Sequence, residues 1–136
     1  MVVSLLVFSC RVADATELRG TWLLKSIEAA GRMHFVAKGV TITLTIREST
    51  LTSVSTMRNQ KTSEFRARFA TDDSKTPKHI DLFVTSGTPG TVWKGIYQVQ
   101  GNTLKVCRTR FTSRPTRFFS SSDGKVILEV YKRIDS

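Results

Sequence analysis

Strict alternation of apolar and polar residues is the feature that most constrains how this chain can fold. It is clearest in Val40–Ile46, where threonines alternate with valine, isoleucine and leucine. Successive side chains of a strand point to opposite faces of a sheet, so this pattern is typical of a strand with one dry and one wet face. The β-branched residues favour the extended backbone further. The pattern therefore predicts a strand over residues 40–46.

The same alternation recurs along the chain. Further predicted strands are Phe65–Phe69, Ile80–Val84, Tyr97–Val99, Leu104–Cys107 and Val126–Tyr131. Glycine, proline, aspartate and asparagine occupy the intervals, and Gly101–Asn102 is typical of a tight hairpin. About eight short strands without intervening helices predict an all-β fold, a single antiparallel up-and-down β-barrel, because closure removes the exposed edges that an open meander would have.

Residues 1–15 differ from the rest of the chain and predict an export signal. Val2–Phe8 is a short apolar run, and Ala13–Ala15 follows the small-x-small pattern of signal peptidase sites. We expect one mature domain over residues 16–136, in the periplasm or cell envelope, with no transmembrane span, since no apolar run reaches the roughly 18 residues that a spanning helix needs. Lipidation at Cys10 and an uncleaved first strand are the alternatives.

The charge of the chain is strongly positive. Lysine and arginine number 21 against 11 acidic residues, a formal net charge of +10, and no acidic residue lies between Asp81 and Asp123. This segment predicts a basic face suited to an anionic partner such as phospholipid headgroups or an acidic polysaccharide. An exported protein rarely meets nucleic acid, which is therefore the less favoured partner. The residues predicted to form the face are Lys105, Arg108, Arg110, Arg114 and Arg117.

Residue patterns that carry catalysis or metal binding are scarce. His34 and His79 are the only histidines, and neither has a His, Cys or carboxylate neighbour at metal-ligand spacing. The chain has no Gly-x-Ser-x-Gly nucleophile motif and no glycine-rich phosphate loop. We therefore expect a protein that is not an enzyme and holds no metal or cofactor.

A short motif opens the first predicted strand. Gly20-Thr21-Trp22 resembles the Gly-x-Trp motif of lipocalin-type barrels. Further similar segments follow in order, namely Pro77–Leu82, Gly95–Cys107, Arg114–Phe118 and Val130–Arg133. Together they resemble the uncharacterised planctomycetal lipocalin-like domain family over residues 18–133. Residues 50–69 depart from that pattern because they lack the expected glycine-rich hairpin, which leaves the strand boundaries there open.

The resemblance implies a small exported barrel without an established activity. Trp22 is expected to plug the closed end, Gly20 to let the backbone pass beneath it, and Arg133 or Lys132 to stack on the indole. Trp22, Leu24, Phe65, Phe69, Tyr97 and Val99 are predicted to face the barrel interior or its mouth. The leading hypothesis is a module that binds a small apolar or amphipathic ligand there. Docking through the basic face, or a purely structural barrel, are the alternatives.

Overall fold

A computed structural model describes residues 15–135. A 3-10 helix, Ala15–Leu18, precedes nine strands. They are β1 (Gly20–Ala29), β2 (Arg32–Phe35), β3 (Val40–Ile46), β4 (Thr50–Met57), β5 (Gln60–Asp72), β6 (Lys78–Val84), β7 (Val92–Gln100), β8 (Thr103–Thr109) and β9 (Ile127–Asp135). The predicted signal peptide, apart from Ala15, lies outside the described residues, and so does Cys10. Within the described part, no helix is long and apolar enough to cross a membrane.

Eight of the nine strands form a closed barrel. Strands β3 to β9 are each hydrogen-bonded to the next in antiparallel order, and β1 pairs with both β3 and β9. Strand β2 stays outside this ring and folds back as a hairpin on residues 26–29 of β1. The predicted all-β antiparallel barrel is therefore confirmed.

The region whose boundaries the sequence left open is a hairpin with one register shift, between Ser55 and Thr56. Strands β4 and β5 pair along their length and are joined by Arg58 and Asn59 alone. Both residues have positive φ angles, 53° and 65°. Two consecutive left-handed residues match the right-handed twist of the flanking strands, which is why such turns usually carry glycine. The expected glycine is absent because an arginine and an asparagine adopt that backbone here.

The two ends of the barrel differ. The 3-10 helix, the start of β1 and the end of β9 lie together at one end, which we call the closed end. Antiparallel order places the β6–β7 loop (residues 85–91) and the long β8–β9 segment (residues 110–126) at the opposite end, which we call the mouth. Strands β7 and β9 thus begin at the mouth, and β8 ends there.

Apolar side chains pack on both faces of part of the sheet. Inside the barrel, Trp22, Tyr97 and Leu104 are almost wholly buried in the main core. Outside it, Ile96, Cys107 and Val126 form a second cluster on the outer face of the sheet, with Phe118, Phe119 and Leu128 packed against it. The Cys107 thiol donates to the carbonyl of Phe119 at 3.2 Å. Burial raises the pKa of this thiol, which keeps it protonated and unreactive.

Candidate functional site: the barrel cavity

A cavity of about 340 Å³ lies inside the barrel. Its wall is mostly aliphatic, with contributions from Leu18, Leu44, Leu82, Leu104 and Val106. Leu18 comes from the 3-10 helix at the closed end, and the other four face inward because the strands alternate in and out, with the outward positions in contact with solvent or the outer cluster. The volume falls within the range of small-molecule sites, and an eight-stranded barrel is about wide enough to hold one small ligand.

An ion pair interrupts the apolar wall. The Nε of Arg108 donates to Oε1 of Glu129 at 2.9 Å, and its Nη2 donates to Oε2 at 3.2 Å. The two side chains are only 19% and 11% exposed. Such parallel, charge-assisted hydrogen bonds fix both partners in one geometry. Burial alone would lower the pKa of Arg108, but the charge and hydrogen bonds of Glu129 outweigh it and raise that pKa.

Aromatic side chains surround this pair. The guanidinium carbon of Arg108 lies 4.1 Å from the ring centre of Trp93. Arg110 lies over the same ring at 5.5 Å and over Phe111 at 4.8 Å. Burial, followed by the charge of Glu129, raises the pKa of the Tyr131 hydroxyl well above its ordinary value. Because Trp93, Arg108 and Glu129 lie close to the mouth-side ends of their strands, the polar part of the wall is the part nearest the mouth.

The six residues predicted for the interior take different places. Phe65 lines the cavity. Trp22, Leu24, Phe69 and Tyr97 are buried in the main core, and Val99 packs against it. Tyr97 and Val99 also border a second, more open depression of about 300 Å³ that includes Phe118. Of these six predicted residues, Phe65 is thus the one in the cavity wall, while the others mainly fill the space around it.

The closed end is built around Trp22. Its indole Nε1 donates to the carbonyl of Leu18 at 2.9 Å, and its ring centre lies 4.1 Å from the guanidinium carbon of Arg133. Arg133 also donates to the carbonyls of Arg19 and Glu17, both at 2.8 Å, whereas Lys132 is exposed. Gly20 has a φ of 128°, a backbone conformation that favours glycine.

The structure places Arg108 in the cavity wall and not on the predicted outer basic face. Arg108 shares the inward side of β8 with Leu104 and Val106, all three in the cavity wall. Cys107 and Thr109 occupy the outward side, yet both are fully buried because the segment after β8 covers them. The alternation along this strand is as predicted, but the side that carries arginine faces the barrel interior.

The other predicted basic residues do not form one face either. Arg114 is only 22% exposed: its Nη1 donates to the carbonyl of Gly95 at 2.8 Å, and its Nη2 lies 2.7 Å from Oδ1 of Asp81. These contacts hold the β8–β9 segment against the outside of the barrel. Arg110 and Arg117 are exposed, Arg117 over the ring of Phe119 at 4.3 Å, and Lys105 is half-buried on β8.

The sequence analysis missed most of the cavity wall, including Glu129 and Trp93 at its polar end. Glu129 is the single charged residue in the apolar run Val126–Tyr131, which the sequence suggests is covered on both sides. A carboxylate in a strand with no wet face needs a cationic partner. That signal was available in the sequence, although it does not identify Arg108 as the partner.

Comparisons with known proteins define the class of this protein. No family model matches the chain, and no curated protein matches it. Its structure is similar to that of a lipocalin-like protein from Bacteroides uniformis, with a TM-score of 0.58 and 11% sequence identity, over 87% of this chain and 99% of that chain. At this identity the likeness shows the fold alone. The chain is a lipocalin-like β-barrel.

Proposed function

We propose that this protein is a non-enzymatic binding module that holds a small apolar or amphipathic molecule inside the barrel. The observation that carries the proposal is the cavity of about 340 Å³, whose aliphatic wall ends in a polar group near the mouth. A liquid water occupies about 30 Å³, so the cavity has room for a ligand of roughly ten non-hydrogen atoms. Burying such a molecule is favourable by roughly 25 cal/mol per Å² of apolar surface.

Filling the cavity tests this proposal. Replacing the cavity-lining Val106 by phenylalanine (Val106→Phe) is expected to weaken the binding of decan-1-ol at least about tenfold, because the added ring occupies space that the ligand needs. Isothermal titration calorimetry measures the affinity. Val54→Phe is the matched control, since Val54 alternates with the cavity-lining Ser53 on β4 and faces the other way. Equal affinities for the two variants, or no binding to the wild type, would contradict the proposal.

Export to the cell envelope is part of the proposal. It is supported by the apolar run and the Ala13–Ala15 pattern in residues 1–15. The intact mass of the protein recovered from the producing cells tests it. A chain that starts at Thr16 is the expected result, a diacylated Cys10 would indicate a lipoprotein instead, and an uncleaved Met1 would exclude export through this signal.

Docking on an anionic envelope surface is the competing proposal. It rests on the exposed Arg110 and Arg117, and on Phe111, which is 58% exposed beside Arg110 at the mouth. Association of this kind is screened by salt, whereas ligand binding inside the barrel is not. Co-sedimentation with anionic phospholipid vesicles at rising ionic strength tests it. Binding that persists at high salt, or that survives Arg110→Gln with Arg117→Gln, would rule it out.

A further inference from the structure

Two opposite charges, and no others among the described residues, line the cavity. Arg108 and Glu129 form a bidentate pair, and all the other lining residues are uncharged. The wall is therefore electrically neutral, and the nearby Arg110, over the Trp93 ring at 5.5 Å, is exposed outside the wall, where solvent and salt screen its charge. A buried ion pair costs desolvation on folding, and well-packed apolar residues often serve stability as well or better. Stability alone therefore gives weak reason for an ion pair in an otherwise apolar wall.

The pair has hydrogen-bonding capacity to spare. A guanidinium carries five N–H donors, and Arg108 directs one from Nε and one from Nη2 to Glu129. The indole of Trp93 stacks on the face of the guanidinium, and within residues 15–135 the hydrogen bonds of this guanidinium are the two to Glu129, so its remaining N–H groups can donate to a ligand. Each carboxylate oxygen of Glu129 accepts one bond from Arg108, the hydroxyl of Tyr131 in the same wall also hydrogen-bonds to this carboxylate, and at least one lone pair remains for a ligand. A ligand head group at this position can therefore accept hydrogen bonds from Arg108 and donate one to Glu129.

The charge of a ligand's head group decides whether it can bind favourably at the Arg108–Glu129 pair. An anionic head drawn to Arg108 lies close to Glu129 as well, because the two side chains are in hydrogen-bond contact. The repulsion from Glu129 offsets much of the attraction to Arg108, while the anion still loses its hydration. A cationic head group is attracted to Glu129 but repelled by Arg108, and it also loses its hydration. A neutral head that both donates and accepts hydrogen bonds incurs neither cost and pairs with both side chains.

We propose that the Arg108–Glu129 pair is the anchor for a neutral, hydrogen-bonding head group, so that the barrel selects neutral amphiphiles such as primary amides over anionic amphiphiles of the same length. This inference rests on the proposed ligand-binding function. The aliphatic part of the cavity takes the apolar tail, and the polar end near the mouth takes the head. The selectivity follows from the balance of the two charges and not from the size of the cavity.

Two ligands of equal size test the proposal on the wild-type protein. Decanamide and decanoate have the same tail and the same number of non-hydrogen atoms, and decanoate is ionised at neutral pH. Isothermal titration calorimetry below the solubility limit of decanamide and the micelle concentration of decanoate is expected to show decanamide binding at least about tenfold more tightly. Decanoate binding as tightly as decanamide, or more tightly, overturns the inference but leaves the proposed function standing. If neither compound binds and decan-1-ol does not bind either, both the proposed function and this inference are wrong.

A charge-changing variant tests the same mechanism from the protein side. Glu129→Gln leaves Arg108 with an uncompensated positive charge, so the preference is expected to reverse in favour of decanoate. The control is Glu64→Gln on β5, whose carboxylate pairs with Lys61 and Arg66 away from the cavity, and it is expected to keep the wild-type preference. A folded Glu129→Gln protein that still prefers decanamide overturns the proposed role of the pair. If that variant does not fold, the two-ligand comparison on the wild type decides alone.

Discussion

Each of the two tryptophans has an arginine guanidinium at the same distance from its ring centre, and the two contacts lie at opposite ends of the barrel. At the closed end Arg133 lies 4.1 Å from the ring centre of Trp22, and near the mouth Arg108 lies 4.1 Å from that of Trp93. Their surroundings differ. Trp22 is fully buried and donates to a backbone carbonyl, whereas Trp93 is only partly buried and lines the cavity.

The partners of the two arginines account for their different roles. Arg133 directs its donors to the backbone carbonyls of Arg19 and Glu17, and so ties the chain before β1 to the end of β9. Arg108 directs its donors to the carboxylate of Glu129 in the cavity wall. An arginine that binds backbone carbonyls holds the fold in place. One paired with a side chain at the edge of a cavity retains a free edge for a ligand.

The largest expected effect is the loss of the closed-end indole. Trp22→Ala is expected to lower the free energy of unfolding by about 3–5 kcal/mol, because it removes a wholly buried aromatic side chain and leaves a cavity. Urea denaturation measures this. Trp93→Ala is the matched comparison and should cost clearly less, since that ring is partly exposed. A loss below about 1 kcal/mol for Trp22→Ala would show that the indole does not close the barrel.

Breaking the ion pair in the cavity wall is expected to have the next largest effect. Glu129→Gln should destabilise the fold by about 3 kcal/mol, at the low end for a buried pair because both side chains are slightly exposed to the cavity. Urea denaturation again provides the measurement. Glu64→Gln, which breaks a surface pair, is the control and should change stability little. Similar losses for the two variants would mean that the Arg108–Glu129 pair behaves as a surface pair.

The loss of stability at strongly alkaline pH tests whether Tyr97, in the core outside the cavity wall, is shielded from water. Burial, followed by the charge of Glu17, raises the pKa of Tyr97 to about 12 from its ordinary value of 10.0. The unfolded chain releases this proton first, so the contribution of Tyr97 to stability is constant below pH 10.0 and falls as pH rises toward 12, by on the order of 2 kcal/mol. The free energy of unfolding of Tyr97→Phe, measured by denaturation, should therefore fall less over that interval than that of the wild type, in which Tyr131 contributes a similar fall. Identical curves for variant and wild type would contradict the raised pKa.

The closed end could be described from the sequence because its signal is local. Gly20-Thr21-Trp22 resembles the motif of lipocalin-type barrels, and that resemblance suggested a basic residue of the last strand over the indole. The strand Val40–Ile46 has the predicted bounds for a similar reason, because its alternation needs no knowledge of distant residues. Patterns read along one strand are enough in both cases.

The polar end of the cavity could not be placed in this way. Alternation along β8 separates Arg108 from Cys107 but does not say which side faces inward. That depends on residues 110–126, whose Phe118 and Phe119 cover the outer side and make it as dry as the core. The pairing of Arg108 with Glu129 likewise joins two strands across that long segment. Only tertiary packing decides these points.

The smallest expected effects separate the two stacks most sharply. Replacing either arginine by lysine keeps the charge but loses the planar fork that makes two directed hydrogen bonds. Arg133→Lys should lower the free energy of unfolding by about 1 kcal/mol and leave decanamide affinity unchanged, because its fork binds backbone and no ligand. Arg108→Lys should instead weaken decanamide binding about tenfold, since an ammonium makes no planar bidentate pair with Glu129 and does not hold its remaining donors in a fixed direction toward the ligand. Denaturation and calorimetry on both variants provide the measurements. If the two substitutions shift ligand affinity alike, the assignment of Arg133 to the fold and of Arg108 to the ligand site is wrong.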